Sequence, residues 1–194
     1  MTQQRKTKTE QRILRALVHL LHTKGLEALT VSDVTREAGI NRGTFYNHYV
    51  NKYDLVEKQI GAVIDILTSI LLAPGSDPAD AHELIPRKNT LAALRYIKNN
   101  LELVATLTSN GSDPRLQERI KDTIGRLIER KVASSKKLTL SYGGIPRDYG
   151  REMLLSSFTS VIWLWLRRGC TEPPEQICDI ISANKDLSPS QLLD

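Results

Sequence analysis

The amino-acid sequence predicts an all-α fold in which three short N-terminal helices precede a helical bundle. Apolar residues recur every three or four positions along most of the 194 residues, which is the spacing of an amphipathic helix. No stretch shows the two-residue alternation that is typical of a half-buried strand. Glycine and proline stand where several helices are expected to end or begin.

The first helix is predicted from about Lys8 to Lys24. Its apolar residues lie on one stripe and are Ile13, Leu14, Leu17, Leu20 and Leu21. Gly25 follows directly and is expected to end the helix, because glycine adopts the left-handed backbone of a C-terminal cap without strain. A short connection then leads to Thr30.

Capping residues delimit two brief helices after this connection. Thr30 offers a hydroxyl to the start of the second helix, and Asp33 places a carboxylate in its first turn. This helix is expected to end at Ala38–Gly39. Asn41 is expected to cap the third helix, which runs to about Tyr49.

Longer helices are predicted in the rest of the chain, on either side of a proline-rich break. The predicted segments are about 52–72, 90–109, 114–135, 146–168 and 174–183. Residues 73–88 contain three prolines and a glycine, so a loop or a partly broken helix is expected there. We expect two domains, with residues 1–53 as the smaller one and residues 54–194 as the larger one.

Positive charge is concentrated in the first part of the chain. Residues 1–56 carry nine lysines and arginines against five acidic residues, whereas the remaining 138 residues carry 18 against 17. A local basic excess attracts polyanions, of which nucleic acid and anionic membrane are the usual ones. A solvated surface with a chance imbalance gives the same count, so charge alone does not decide between these interpretations.

The segment from Thr30 to Tyr49 has the pattern of a helix-turn-helix. Its turn-building residues are Val31, Val34, Ala38, Gly39, Ile40, Phe45 and Tyr49. Gly39 supplies the positive φ that the turn needs. The residues left outward are Arg42, Gly43, Thr44, Tyr46, Asn47 and His48. A short helix with one polar face and an arginine at its start suits the major groove of DNA.

The N-terminal part of the chain resembles the TetR family of bacterial regulators. The stretch GINRGTFYNHYVNKYDLV is similar to the family's third helix and the start of its fourth. The stretch TVSDVTREAGI is similar to its second helix and turn. Glycine, aromatic and lysine positions agree in register throughout, which makes the resemblance specific.

The resemblance implies a DNA-binding surface with two kinds of contact. Arg42, Gly43 and Thr44 lie at positions that read bases or line the groove. The residues implied to contact phosphate are Thr30, Tyr46, His48 and Lys52. Asn47 replaces an aromatic residue common in the family and is implied to touch either a base or the backbone. Whether the basic arm Arg5–Lys8 adds a contact or is a disordered tail stays open.

The resemblance also implies that the larger domain binds an effector and forms a homodimer. The segment 158–166 is apolar almost all round, so we expect it in the core and against a second subunit. Ile177, Ile180 and Ile181 add apolar positions on the last helix. Pairing through the last two helices would place two recognition helices about 34 Å apart, one turn of a palindromic operator.

The function implied is a ligand-responsive repressor of transcription, with two alternatives left open. The stretch WLRRGCTEPPEQI resembles the C-terminal end of the dihydroxyacetone-kinase-type regulator subgroup, in which some relatives bind a protein coregulator and activate transcription. The first alternative is therefore an activator of that kind. The second is an interaction protein whose helix-turn-helix no longer binds DNA, but the polar face from Arg42 to Lys52 argues against it.

Neither the effector nor its pocket can be read from the sequence. Four aromatic residues stand where they would line a pocket between helices, namely Tyr96, Tyr142, Phe158 and Trp163. Aromatic residues at helical spacing more often belong to the core. Cys170 and Cys178 lie eight apart and allow a redox switch, although structural or incidental thiols are the commoner case.

The sequence gives no support for an enzyme, a cofactor or a metal site. His19 and His22 are spaced as a metal pair, but no third ligand is suitably placed. Nucleophile triads, phosphate-binding loops and dinucleotide-binding motifs are absent from the sequence. No apolar run reaches the ~20 residues of a membrane span, so we expect a cytoplasmic protein.

Overall fold

The computed structural model describes residues 2–73, 85–109, 116–134 and 144–183, and every regular element within them is an α-helix. The helices are α1 (Thr2–Ala28), α2 (Val31–Glu37), α3 (Arg42–Tyr46), α4 (Lys52–Leu71), α5 (Arg87–Asn99), α6 (Leu101–Ser109), α7 (Leu116–Ser134), α8 (Arg147–Arg167) and α9 (Pro174–Ala183). The predicted all-α fold is therefore confirmed. No helix among these residues is long and apolar enough to cross a membrane.

Helix α1 is longer than predicted at both ends. It begins at Thr2, because glutamine, arginine and lysine favour a helix and no breaker precedes Lys8. The backbone of the basic arm Arg5–Lys8 is thus part of the helix. Gly25 breaks α1 with a φ of 73°, as predicted, but one more helical turn follows it.

The first compact unit comprises Met1–Asp65 and Glu102–Leu116. Five of its apolar side chains are completely inaccessible to solvent, namely Ile13, Leu17, Val34, Phe45 and Leu55. They come from α1, α2, α3 and α4, so the short α2 and α3 are held by a shared core. Full burial of such a side chain contributes roughly 1.5–3 kcal/mol. A five-residue helix has no comparable stability of its own.

The second compact unit comprises Ile66–Leu101 and Gln117–Asp194. Within it, α9 packs against both α5 and α8. The Arg95 guanidinium donates to Glu175 at 2.7 Å, and the Arg87 guanidinium pairs with Asp179, so two ion pairs join α5 to α9. The predicted domain boundary between residues 53 and 54 stays a prediction.

A tight turn connects α8 to α9 and fixes the buried Trp165. Gly169 has a φ of 69°, and the amide of Cys170 donates to the carbonyl of Trp165 at 2.9 Å. The Trp165 indole donates to the carbonyl of Glu172 at 3.1 Å, which satisfies its only donor. The predicted end of α8 near residue 168 and the start of α9 at Pro174 are confirmed.

One predicted helix is wrong. Residues 90–109 were expected to form a single helix, but α5 ends at Asn99 and α6 begins at Leu101. Asn100 has a φ of −117°, and its side-chain amide donates to the carbonyl of Tyr96 at 2.8 Å. Asparagine favours such local bonds over a continuous helix, which accounts for the break. The predicted start of α7 at Pro114 lies outside the described residues.

Candidate nucleic-acid interface

The turn between α2 and α3 is fixed by backbone hydrogen bonds around Gly39. The amide of Gly39 donates to the carbonyl of Arg36 at 3.1 Å, and the amide of Ile40 donates to the carbonyl of Thr35 at 2.9 Å. This pair of bonds is a Schellman motif, which needs a left-handed residue at Gly39, where φ is 59°. The Arg12 guanidinium closes the turn by donating to the carbonyl of Gly39 at 2.6 Å.

Helix α3 starts at the predicted cap. The Asn41 side-chain oxygen accepts from the amide of Thr44 at 2.7 Å. It also accepts from the Thr44 hydroxyl at 3.0 Å. A Cβ at Gly43 would approach this same oxygen to 3.3 Å, so the glycine keeps the cap uncrowded. Thr44 is half-buried and its hydroxyl is held by the cap, whereas Gly43 presents bare backbone to solvent.

Helix α2 starts with a capping box between Thr30 and Asp33. The Thr30 hydroxyl accepts from the amide of Asp33 at 3.1 Å, and the Asp33 carboxylate accepts from the Thr30 hydroxyl at 2.8 Å. The same carboxylate pairs with Lys24 at 2.9 Å and with Arg36 at 2.7 Å. The hydrogen bond from Lys24, and next the one from Thr30, lower the pKa of Asp33 from 3.8 to about 2.

The exposed face of α3 carries Arg42, Gly43, Tyr46 and Asn47, as predicted. Arg42 and Tyr46 lie one turn apart, and the guanidinium donates to the phenol oxygen at 3.2 Å. The guanidinium carbon also lies 5.9 Å from the centre of the Tyr46 ring. Tyr46 is 48% exposed while Phe45 beside it is fully buried, so α3 has one core face and one polar face.

His48 was predicted to face outward, and this prediction is wrong. Its side chain is only 11% exposed, and its Nδ1 lies 3.4 Å from the Glu10 carboxylate. The helical turn of α3 ends at Tyr46, and the chain after it bends back towards α1. This end of the helix could not be seen in the sequence, because Asn47 and His48 continue the helical spacing. The side chain therefore ties α1 to the end of α3.

Lys52 is half-buried, and its ammonium group already has partners within the chain. It donates to the carbonyl of Leu26 at 3.0 Å and to that of Glu27 at 2.8 Å. These carbonyls belong to the last turn of α1, where no helical N–H group is left to donate to them. An ammonium group has three protons, so one stays available for a phosphate.

Two exposed residues near this face were missed by the sequence analysis. Tyr53 is 48% exposed, with its ring centre 5.0 Å from the Lys52 ammonium. Val50 is 74% exposed in the bend between α3 and α4, where its amide donates to Asp54 at 2.8 Å. Valine and tyrosine are often buried, so residue type alone does not indicate their exposure. The capping pair Asn51 and Asp54 was the available signal for an exposed bend.

The fold and this site define a helix-turn-helix regulator of transcription. A family profile described as "Bacterial regulatory proteins, tetR family" matches residues 13–58. A second profile, described as "Transcriptional regulator C-terminal region", matches residues 86–184. The chain belongs to the TetR family, and the predicted resemblance is confirmed.

Individual relatives agree with this assignment. Over 69 residues the chain is 36% identical to "Uncharacterized HTH-type transcriptional regulator YxbF" of Bacillus subtilis (strain 168), a match covering 33% of this chain and 18% of that protein. A TetR regulator from Streptococcus agalactiae 2603V has the same fold, with 21% identity, a TM-score of 0.66 and coverage of 94% and 97%. The "Dihydroxyacetone kinase operon activator DhaS" follows with 16% identity, a TM-score of 0.60 and coverage of 90% and 92%.

The described residues do not bring the predicted pocket residues or the two cysteines together in a site. Tyr96, Phe158 and Trp163 are half-buried, and burial raises the pKa of Tyr96. Tyr142 lies outside the described residues. Cys170 and Cys178 are both buried and form no disulfide. Burial raises the pKa of Cys170, which makes that thiol less reactive.

We predict that Asp33→Asn weakens the folded state in a pH-dependent way. Because the folded pKa is lowered, the ionised carboxylate stabilises the fold above its ordinary pKa of 3.8, and this contribution is lost as the pH falls towards about 2. Urea denaturation followed by circular dichroism should therefore show the largest difference from the wild type near neutral pH. Glu37→Gln, on the exposed side of the same helix, is the matched control. An equal difference at all pH values would contradict the prediction.

Proposed function

We propose that this regulator binds a palindromic operator as a homodimer and represses transcription until a small-molecule effector releases it. The observation that carries the proposal is the exposed face of α3, where Arg42, Gly43, Tyr46 and Asn47 meet solvent beside a fully buried Phe45. An arginine at the start of a recognition helix pairs best with the O6 and N7 atoms of guanine. We assign base reading to Arg42 and Asn47.

The remaining predicted residues are proposed to hold the DNA backbone or to shape the helix. The exposed Tyr46 presents a hydroxyl group that suits a phosphate oxygen. Thr30 is exposed at the start of α2 and is proposed to lie against the phosphate backbone, while its hydroxyl proton is donated to Asp33. Gly43 allows close approach of the backbone, and Thr44 supports the cap. Lys52 offers its third proton to a phosphate.

The exposed part of the His48 side chain is small, and we propose that only this part contacts a phosphate. Its side chain is mostly buried beside Glu10, so its main contribution is to position α3.

The proposed dimer forms through α8 and α9. Met153, Ser160 and Leu164 are spaced by seven and four positions, about two turns and one turn, and so lie on one face of α8. Met153 is 62% exposed, Leu164 is 44% exposed, and Ile180 on the neighbouring α9 is 41% exposed. Apolar side chains on two packed helices, with a small serine between them, suit close contact with the same helices of a second copy.

An activator remains the second candidate. The structural likeness to DhaS, whose name describes an operon activator, favours it. A reporter gene under the protein's own operator distinguishes the two functions. Deletion of the regulator raises expression if it represses transcription and lowers expression if it activates transcription.

We predict that Arg42→Ala relaxes base preference. Loss of a bidentate contact to guanine should weaken binding to the preferred base pair by about 1–3 kcal/mol. Binding to duplexes with another base pair at that position should weaken much less. The operator is first selected from a randomised duplex library, and affinities are then measured by fluorescence anisotropy on duplexes that differ by one base pair.

The control for this experiment is Arg126→Ala, which removes the same exposed side chain from α7. It should leave both affinity and base preference unchanged. A wild-type protein that selects no sequence, or an Arg42→Ala variant that discriminates bases as the wild type does, would contradict the proposed function.

We predict that Leu164→Glu separates the dimer, because two carboxylates would face each other across the two-fold axis in an apolar contact. Sedimentation velocity should show a monomer, and operator affinity should fall at least tenfold as the two half-sites lose their linkage. Ile66→Glu places the same charge on a similarly exposed residue of α4 and should stay dimeric. A dimeric Leu164→Glu protein with full affinity would exclude this interface.

A further inference from the structure

Helix α1 carries a continuous basic stripe on its solvent side, formed by Lys8, Arg12, Arg15, His19 and His22. These residues are spaced by four, three, four and three positions. At 3.6 residues per turn they fall within an arc of about 80°. All five are exposed, and no acidic residue of α1 lies within the same arc of the helix. We call this set the α1 stripe.

The α1 stripe adjoins the turn that sets the recognition helix. Arg12 donates to the carbonyl of Gly39 at 2.6 Å. Beside this bond, a cleft of about 460 Å³ is lined by Arg12, Arg15, His19, Glu37, Ala38 and Gly39, with Ala16 at its floor. Two guanidinium groups and an imidazole thus share this cleft with one carboxylate.

Lys8, Arg12 and Arg15 have no carboxylate within ion-pair distance among the described residues, whereas several cations of the second unit do. Arg95 and Lys121 are paired with Glu175 and Glu152. In the part of the chain that the structure describes, no ion pair involves any member of the stripe. Glu10, the nearest acidic residue in sequence, points instead to His48.

We propose that the α1 stripe binds the phosphate backbone of duplex DNA beside the stretch that α3 reads. This inference rests on the proposed function. The stripe spans about 21 Å, since fourteen residues rise 1.5 Å each. Duplex DNA carries one charge per about 1.7 Å of its axis, so several phosphates lie within that length. The opposite face of α1 is buried, with Ile13 and Leu17 fully inaccessible, so no apolar face is left for a membrane.

The test uses the double variant Lys8→Gln/Arg15→Gln, which spares Arg12 and its bond to the turn. Affinity is measured by fluorescence anisotropy across salt concentrations on the selected operator, both as the minimal duplex and extended by one helical turn, about 10 bp, at each end. Loss of two phosphate contacts in each protomer of the proposed dimer, four in all, should lower the salt slope by about 3.6 and the affinity at least tenfold on the extended duplex. Base preference should be unchanged.

Two controls make the result specific. Arg126→Gln/Arg130→Gln removes the same charge from exposed positions of α7 and should behave as the wild type. Lys8→Arg/Arg15→Lys retains the charge and should retain the salt slope, which separates a charge effect from a folding defect. In the contrary outcome, the double glutamine variant keeps the wild-type salt slope and affinity while Arg42→Ala still relaxes base preference. That result would overturn the proposal for the α1 stripe and leave the proposed function standing. Failure of the wild type to bind any duplex would overturn the proposed function as well.

Discussion

The orientation of α3 depends on one backbone constraint, the left-handed conformation of Gly39. A φ of 59° lets the chain leave α2 and enter α3 with only four residues between them, and the two hydrogen bonds of the Schellman motif close the turn. Any other residue would pay for the positive φ, and its Cβ would lie 2.6 Å from the Arg12 guanidinium. The direction in which Arg42 and Asn47 project follows from this turn.

Helix α1 supports the turn through polar ties as well as through the core. Lys24 holds the Asp33 carboxylate at the start of α2, and Arg12 holds the Gly39 carbonyl at its end. The last turn of α1 accepts two hydrogen bonds from Lys52 at the start of α4. A helix of five residues is unstable alone, so α3 depends on these ties and on the shared core for its position. Rigid presentation lowers the entropy cost of binding DNA.

Local chemistry made most of this site predictable from the sequence. The caps at Thr30 and Asn41 and the turn at Gly39 depend on neighbours within four residues, and all three were predicted correctly. The burial of His48 was not predictable, because it depends on Glu10, thirty-eight positions away in the chain. The same holds for Lys52 and its acceptors in α1. The break at Asn100 is local, but asparagine also occurs inside helices, so its residue type alone did not reveal it.

We propose that the exposed face around α3 binds the operator. Hydrogen–deuterium exchange followed by mass spectrometry, on the full chain with and without the selected operator duplex, tests it most directly. We expect the strongest added protection in peptides that cover residues 30–54, with the first turns of α1 next. Protection confined to peptides from residues 117–183, with none in the helix-turn-helix, would contradict it.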